Sequence, residues 1–438
     1  VSNYWRPLLL MVFSLEWHLW EDWMPPYHLV NTSFHTASAA LLFLILNRLL
    51  DRKKLAFFTA LFFLVHPVQT EAVAYVNSLG DSLSVFFMLS GIWLYLKTSS
   101  DLKRKTHLSA AYVLALMSKE TAIILPALIA ALELWFLNKG FTLKEKFKTA
   151  FKKTLPLFAI ALLYLLLRAT ALNFKSTFNF YGDENPLPSI YLRFLTFLRT
   201  LFSYLQILFA PFNLHMERSV ELAANPFSLS IIAGGIFFLA CIFLILLSQK
   251  TDKMKIVGFG LFWFLTGLAP TSNILVPINS FIYEHWLYLP LPGFFLAVLQ
   301  IGFSITSRYK LRKIFFALAV IWLAVLGALT VKRNADWRDP INFYEKTLRH
   351  SPRSYRLLNN LGKEYAEKGL LEKAEENYKK AVEADSENPV AYHNLGNLYK
   401  TMNRKELAAE NFKKALGLDP DFIFSRAALL NLYREAEE

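Results

Sequence analysis

Apolar runs of up to about twenty residues recur along three quarters of this chain, and no other feature limits its fold as strongly. A helix of that length makes all its backbone hydrogen bonds internally, which is what crossing a bilayer requires. The runs lie at about 28–49, 55–66, 82–97, 106–117, 121–137, 150–171, 227–247, 256–270, 292–306 and 313–331. Only 18% of the 438 residues are charged, against roughly a quarter in an ordinary soluble domain. Disorder is excluded and a soluble enzyme is disfavoured. The expected architecture is all-α: a polytopic membrane bundle of about ten spans over 1–331, in contact with lipid. The lone cysteine, Cys241, lies in an apolar run and reads as packing.

Loop charge sets the topology. Connections 48–54, 97–105, 139–153, 250–255 and 308–313 together hold 21 basic and 4 acidic residues, which places them in the cytoplasm. Loops 66–81 and 270–291 hold no Lys or Arg and are expected outside, with 1–27 and 172–226. This alternation requires 190–210 to lie at the interface, with Arg193 and Arg199 near one face; an eleventh crossing is the alternative. The basic residues form no exposed stripe, so no nucleic-acid partner is expected. The N-terminus falls outside by the same count, so an odd span is expected before Val1 in the full protein.

Residues 332–353 read as a linker, and 354–438 differ in kind: 13 Lys+Arg stand against 15 Asp+Glu, so the +13 of the whole chain is carried by the rest. Leu361-Gly362, Tyr365, Ala374, Tyr378 and Ala381 recur 34 residues later as Leu395-Gly396, Tyr399, Ala408, Phe412 and Ala415. That is the tetratricopeptide pattern, in which small residues let two helices approach and an aromatic ring fills the gap. Two full repeats and one further helix are expected, forming an α-solenoid whose concave face takes a protein partner. A spacer or dimerisation element is the alternative reading.

Ionisable groups at membrane depth are costly and are therefore candidates for function. His28, Asn31 and His35 share a helical face; they can hold a metal or hydrogen-bond within the bundle, and metal dependence stays open. Loop 66–81 supplies His66, Glu71 and Asp81, with the carboxylates as candidate general bases and a helix cap as the alternative for Asp81. Lys119 and Glu120 form a functional or structural pair at the tip of a short hairpin. Arg6, Lys119, Arg168 and His285 suit a lipid phosphate, snorkelling being the bland alternative. Glu284 completes the set.

The order of motifs resembles the tetratricopeptide-repeat transmembrane O-mannosyltransferases and their bacterial relatives. It runs through Tyr4-Trp5-Arg6-Pro7-Leu8, Tyr27-His28-Leu29-Val30-Asn31 with His35, His66-Pro67 with Glu71, Gly80-Asp81, Ser118-Lys119-Glu120 and Glu284-His285 with Leu287-Tyr288-Leu289-Pro290. It ends on Asn334 with Trp337-Arg338. The resemblance implies a C-type glycosyltransferase bundle. It implies transfer of mannose or a similar sugar from a polyprenyl- or dolichyl-phosphate carrier to a protein Ser/Thr hydroxyl, with the repeats holding the acceptor or a partner. It places the main acidic pair upstream of Val1, leaving Asp22 a remote candidate, and it expects arginine where His285 stands. Histidine would make that phosphate contact pH-dependent near neutrality. The expected setting is a bacterial inner membrane with the active side and repeats periplasmic, or the endoplasmic reticulum with both lumenal. A non-catalytic membrane scaffold with a protein-binding tail is the competing reading. A transporter or flippase is disfavoured, because the sequence lacks internal symmetry.

Overall fold

A computed structural model describes residues 5–138, 140–172, 189–218, 220, 222–223, 225–278 and 280–437; Tyr4 and residues 173–188 of loop 172–226 lie outside them. The described residues are helical and contain no strand. They divide into two units, Val1–Leu214 with Val220–Arg333, and His215–Ser219 with Asn334–Glu438.

The first unit holds α1 (Pro7–Trp20), α2 (Pro25–Leu50), α3 (Lys53–Val65), α4 (Thr70–Ala74), α5 (Leu79–Lys97), α6 (Asp101–Ser118), α7 (Leu125–Leu132), α8 (Leu143–Ala169), α9 (Ile190–Phe209), α10 (Leu229–Leu246), α11 (Asp252–Leu268), α12 (Leu291–Arg308) and most of α13 (Arg312–Asp336). Their starts follow local chemistry. Pro occupies the first turn of α1, α2 and α12, where its missing N–H costs nothing. Thr142 and Glu145 form a capping box at α8, and the Ser189 and Thr251 hydroxyls cap α9 and α11.

Nine helices among the described residues are long and apolar enough to cross a membrane, ten if the bent pair Lys53–Val65 and Pro67–Ala74 is one span. The chain is a multi-pass membrane protein. Helix α6 falls outside that set because Asp101, Lys103, Arg104 and Lys105 crowd its first turns. It nevertheless runs antiparallel to α5: Gly80 lies against the Ser118 carbonyl, and Gly91 against Leu108 and Ala111. Its 18 residues reach about 27 Å, most of a hydrocarbon core. Helix α9 passes the length test, yet both its ends meet one end of the bundle. The guanidinium of Arg193 donates to the Asn273 carbonyl (3.2 Å), and the Leu208 carbonyl accepts from His66 Nε2 (3.2 Å).

Without a hydrophobic drive between helices in lipid, close backbone approach supplies much of the association. A Cβ on Gly260 would lie 2.6 Å from the Gly293 carbonyl oxygen, and one on Gly293 would lie 2.5 Å from that of Gly260, so α11 and α12 touch backbone to backbone. Gly267 meets Pro290 in the same way.

The second unit holds α14 (Pro340–Leu348), α15 (Tyr355–Glu367), α16 (Leu371–Ala384), α17 (Pro389–Thr401), α18 (Lys405–Leu418) and α19 (Ile423–Glu437). Helix α14 occupies the stretch read as a linker and packs on α15. Ala374, Ala381, Ala408 and Ala415 are fully buried between paired helices. A Cβ on Gly362 would stand 2.8 Å from the Tyr378 ring, and one on Gly396 would stand 2.5 Å from that of Phe412. Gly396→Val therefore overpacks the second repeat by roughly 1–3 kcal/mol, and the full chain should show earlier proteolysis of 354–438 in a urea series. Unchanged proteolysis would mean that the helices have slack there.

Candidate active site at one end of the bundle

One end of the bundle gathers α1, the starts of α2 and α5, the 66–81 segment, the break after α6, and the turn Glu284–Leu287. Helix α3 stops at His66, whose Nδ1 accepts the Val68 N–H (3.2 Å) and opens a tight turn over Pro67–Gln69. That turn swings Glu71 inward. Gly80 allows the chain around Ser118 to lie on α5, which sets Lys119 beside Asp81.

Four carboxylate pairs result. The Arg6 guanidinium donates twice to Glu120 (3.0 and 2.7 Å), a bidentate fork. Lys119 Nζ reaches Asp81 at 2.6 Å, both side chains being 8% exposed. Glu71, 1% exposed, accepts from the His285 backbone N–H (3.0 Å) and holds its Nδ1 at 2.8 Å. A carboxylate only accepts, so Nδ1 is the donor in this pair and Nε2 takes no part in it. Arg333 meets buried Glu284 at 3.5 Å.

The remaining expected residues divide. Asn31 is buried and donates to the Ala72 and Val73 carbonyls (3.2 and 2.8 Å), while its oxygen accepts the Ser82 hydroxyl. His35 donates from Nε2 to the Leu64 carbonyl (3.1 Å), so its Nδ1 accepts the Tyr288 hydroxyl (2.9 Å). His66 uses both ring nitrogens within the protein. His28 and Asp22 are exposed. Asp81 lies in the first turn of α5 and gives its carboxylate to Lys119. Arg168 donates to the Tyr164 hydroxyl (3.2 Å). No three His, Cys, Asp or Glu side chains converge to hold a metal among the described residues.

Sequence reasoning missed two features. The side-chain amide of Gln69 and the Thr70 hydroxyl, beside Glu71, are buried without a hydrogen-bond partner among the described residues. Glu16, in a helix not foreseen within 1–27, is 2% exposed and has no hydrogen-bond partner among the described residues. Burial raises its carboxyl to about 7. The folded state thus binds this proton more tightly than the unfolded chain, and stability falls as pH rises from the ordinary 4.5 towards about 7. Glu16→Gln is expected to flatten that slope and to unfold at a higher temperature than the parent at pH 8, read by thermal unfolding at pH 5 and pH 8. A parent indifferent to pH over this range would show that water reaches the carboxylate.

A helical membrane bundle, a paired polar cluster at one end and a repeat tail define a polytopic membrane protein with tetratricopeptide repeats. The tail matches the TPR repeat family over 362–403 and the tetratricopeptide repeat family over 389–422. Over most of its length the chain is similar to proteins named protein O-mannosyl-transferase. It is 25% identical to F38B6.6 of Caenorhabditis elegans, over 87% of this chain and 54% of that one. It is 26% identical to mouse TMTC3, over 84% and 43%, and 26% identical to human TMTC4, over 83% and 56%. The chain spans about half the length of the curated relatives it matches.

Proposed function

We propose that this chain carries the membrane part of a protein O-mannosyltransferase that takes mannose from a polyprenyl- or dolichyl-phosphate carrier and delivers it to a Ser/Thr hydroxyl. The observation that carries this reading is the similarity to proteins named protein O-mannosyl-transferase across more than four fifths of the chain. The paired end supports it. His285, held through Nδ1 by Glu71, presents Nε2 to a departing lipid phosphate and, when protonated, donates to it. Glu71 is a positioning residue in this scheme. Arg6 and Lys119, each paired with a carboxylate, serve the donor through the field they set. The loop-rich end faces the periplasm or lumen, opposite the basic connections, and the repeats bind the acceptor or a partner on that side.

The test is transfer of radiolabelled mannose from polyprenyl phosphate, and separately from dolichyl phosphate, to membrane protein by the natural full-length protein, beside a His285→Phe variant. Incorporation that the variant loses supports the reading. A second reading, a non-catalytic scaffold, is favoured by one observation: Arg6, Lys119 and His285 are each satisfied by a carboxylate of the chain itself. Folded protein that incorporates nothing from either carrier favours the scaffold.

A further inference from the structure

The opposite end of the bundle carries a cavity of about 520 Å³ where the starts of α3, α11 and α13 meet the last turns of α12. Arg52, Lys53, Lys54, Lys253 and Arg312 line it against a single acid, Asp51. Among the described residues none of these five cations is in an ion pair. Arg52 donates to Gln300 Oε1 (3.2 Å), while Lys54 and Arg312 lie 5.0 and 5.8 Å from the Phe316 ring centre. Gln300, 1% exposed, is in turn fixed by donating to the Ser304 hydroxyl (2.7 Å). At the other end each cation of the cluster meets a carboxylate; here five positive charges share a concave site with one negative charge, and among the described residues no side chain caps the N–H groups that open α3. Phe303, Phe316 and Leu55 give the same cavity an apolar wall, and Ile314 and Leu318 continue as exposed apolar surface along α13.

We propose that this cavity binds the phosphate headgroup of an anionic phospholipid, with the acyl chains lying along α13. The charge imbalance calls for an anion, the serine hydroxyls and open amides suit phosphate oxygens, and the apolar wall and adjoining face distinguish a lipid from a free ion. The inference stands whether or not the chain is a transferase.

Native mass spectrometry of the detergent-purified full chain tests it, with dioctanoyl phosphatidylglycerol, dioctanoyl phosphatidylcholine and inorganic phosphate as probes. One bound phosphatidylglycerol is expected at concentrations where phosphatidylcholine and phosphate are not retained. Lys53→Gln/Lys54→Gln/Lys253→Gln removes three exposed charges from the rim and should weaken that binding by at least about tenfold. Lys144→Gln/Lys146→Gln/Lys148→Gln removes as many charges from another basic connection and should leave it unchanged. Equal losses in the two variants would assign the effect to the general field of the basic end and overturn the proposal. Retention of inorganic phosphate as strong as that of the lipid would overturn it as well.

Discussion

Replacing Glu71 with glutamine should reduce the proposed mannosyl transfer by about a hundredfold, the size of effect that follows loss of one preorganised electrostatic group. Glutamine keeps the shape and can still accept the His285 backbone N–H. It offers Nδ1 a neutral amide oxygen in place of a carboxylate and so holds the ring less firmly. A structural role for Glu71 would lower the amount of folded protein and leave the turnover of the remainder unchanged. The positioning role predicts the reverse: folded protein in normal amount whose kcat falls while KM for the donor changes little. Both constants, measured on protein of verified helicity, separate the two. Full activity would remove Glu71 from the mechanism.

The second large effect concerns stability. Lys119→Met leaves Asp81 buried and uncompensated, and Asp81→Asn does the same to Lys119; each should cost roughly 3–5 kcal/mol. The double variant removes both charges together and should recover most of that loss, because a buried pair is often matched by apolar or neutral replacements. Unfolding midpoints of the four proteins in one detergent give the cycle, and additive losses would show that the two residues do not depend on each other. If the recovered double variant is also inactive in mannosyl transfer, the charges act on the donor as well as on each other.

The spans and the repeats were legible in the sequence because each is a local pattern. A run near twenty apolar residues or a 34-residue recurrence needs no knowledge of what lies elsewhere in the fold. The site was legible only as an inventory. Asp81 and Lys119 are 38 positions apart, Arg6 and Glu120 are 114, and Glu71 and His285 are 214, and nothing in the order of residues says which carboxylate takes which cation. Glu16 was missed because a 14-residue helix too short to cross a membrane looks like loop when only spans are sought. Helix α14 was missed similarly: Asp339 and Pro340 open a helix of nine residues, shorter than the periodicity that identifies its neighbours.

The contact between Gly260 and Gly293, with Pro290 against Gly267, also bears on the site. A side chain at Gly260 or Gly293 would push the two backbones apart. The turn Glu284–Leu287, which carries His285, precedes α12 by a few residues and is tied to that contact through Pro290. Variants of Gly260 or Gly293 are therefore expected to disturb the His285–Glu71 pair without touching it.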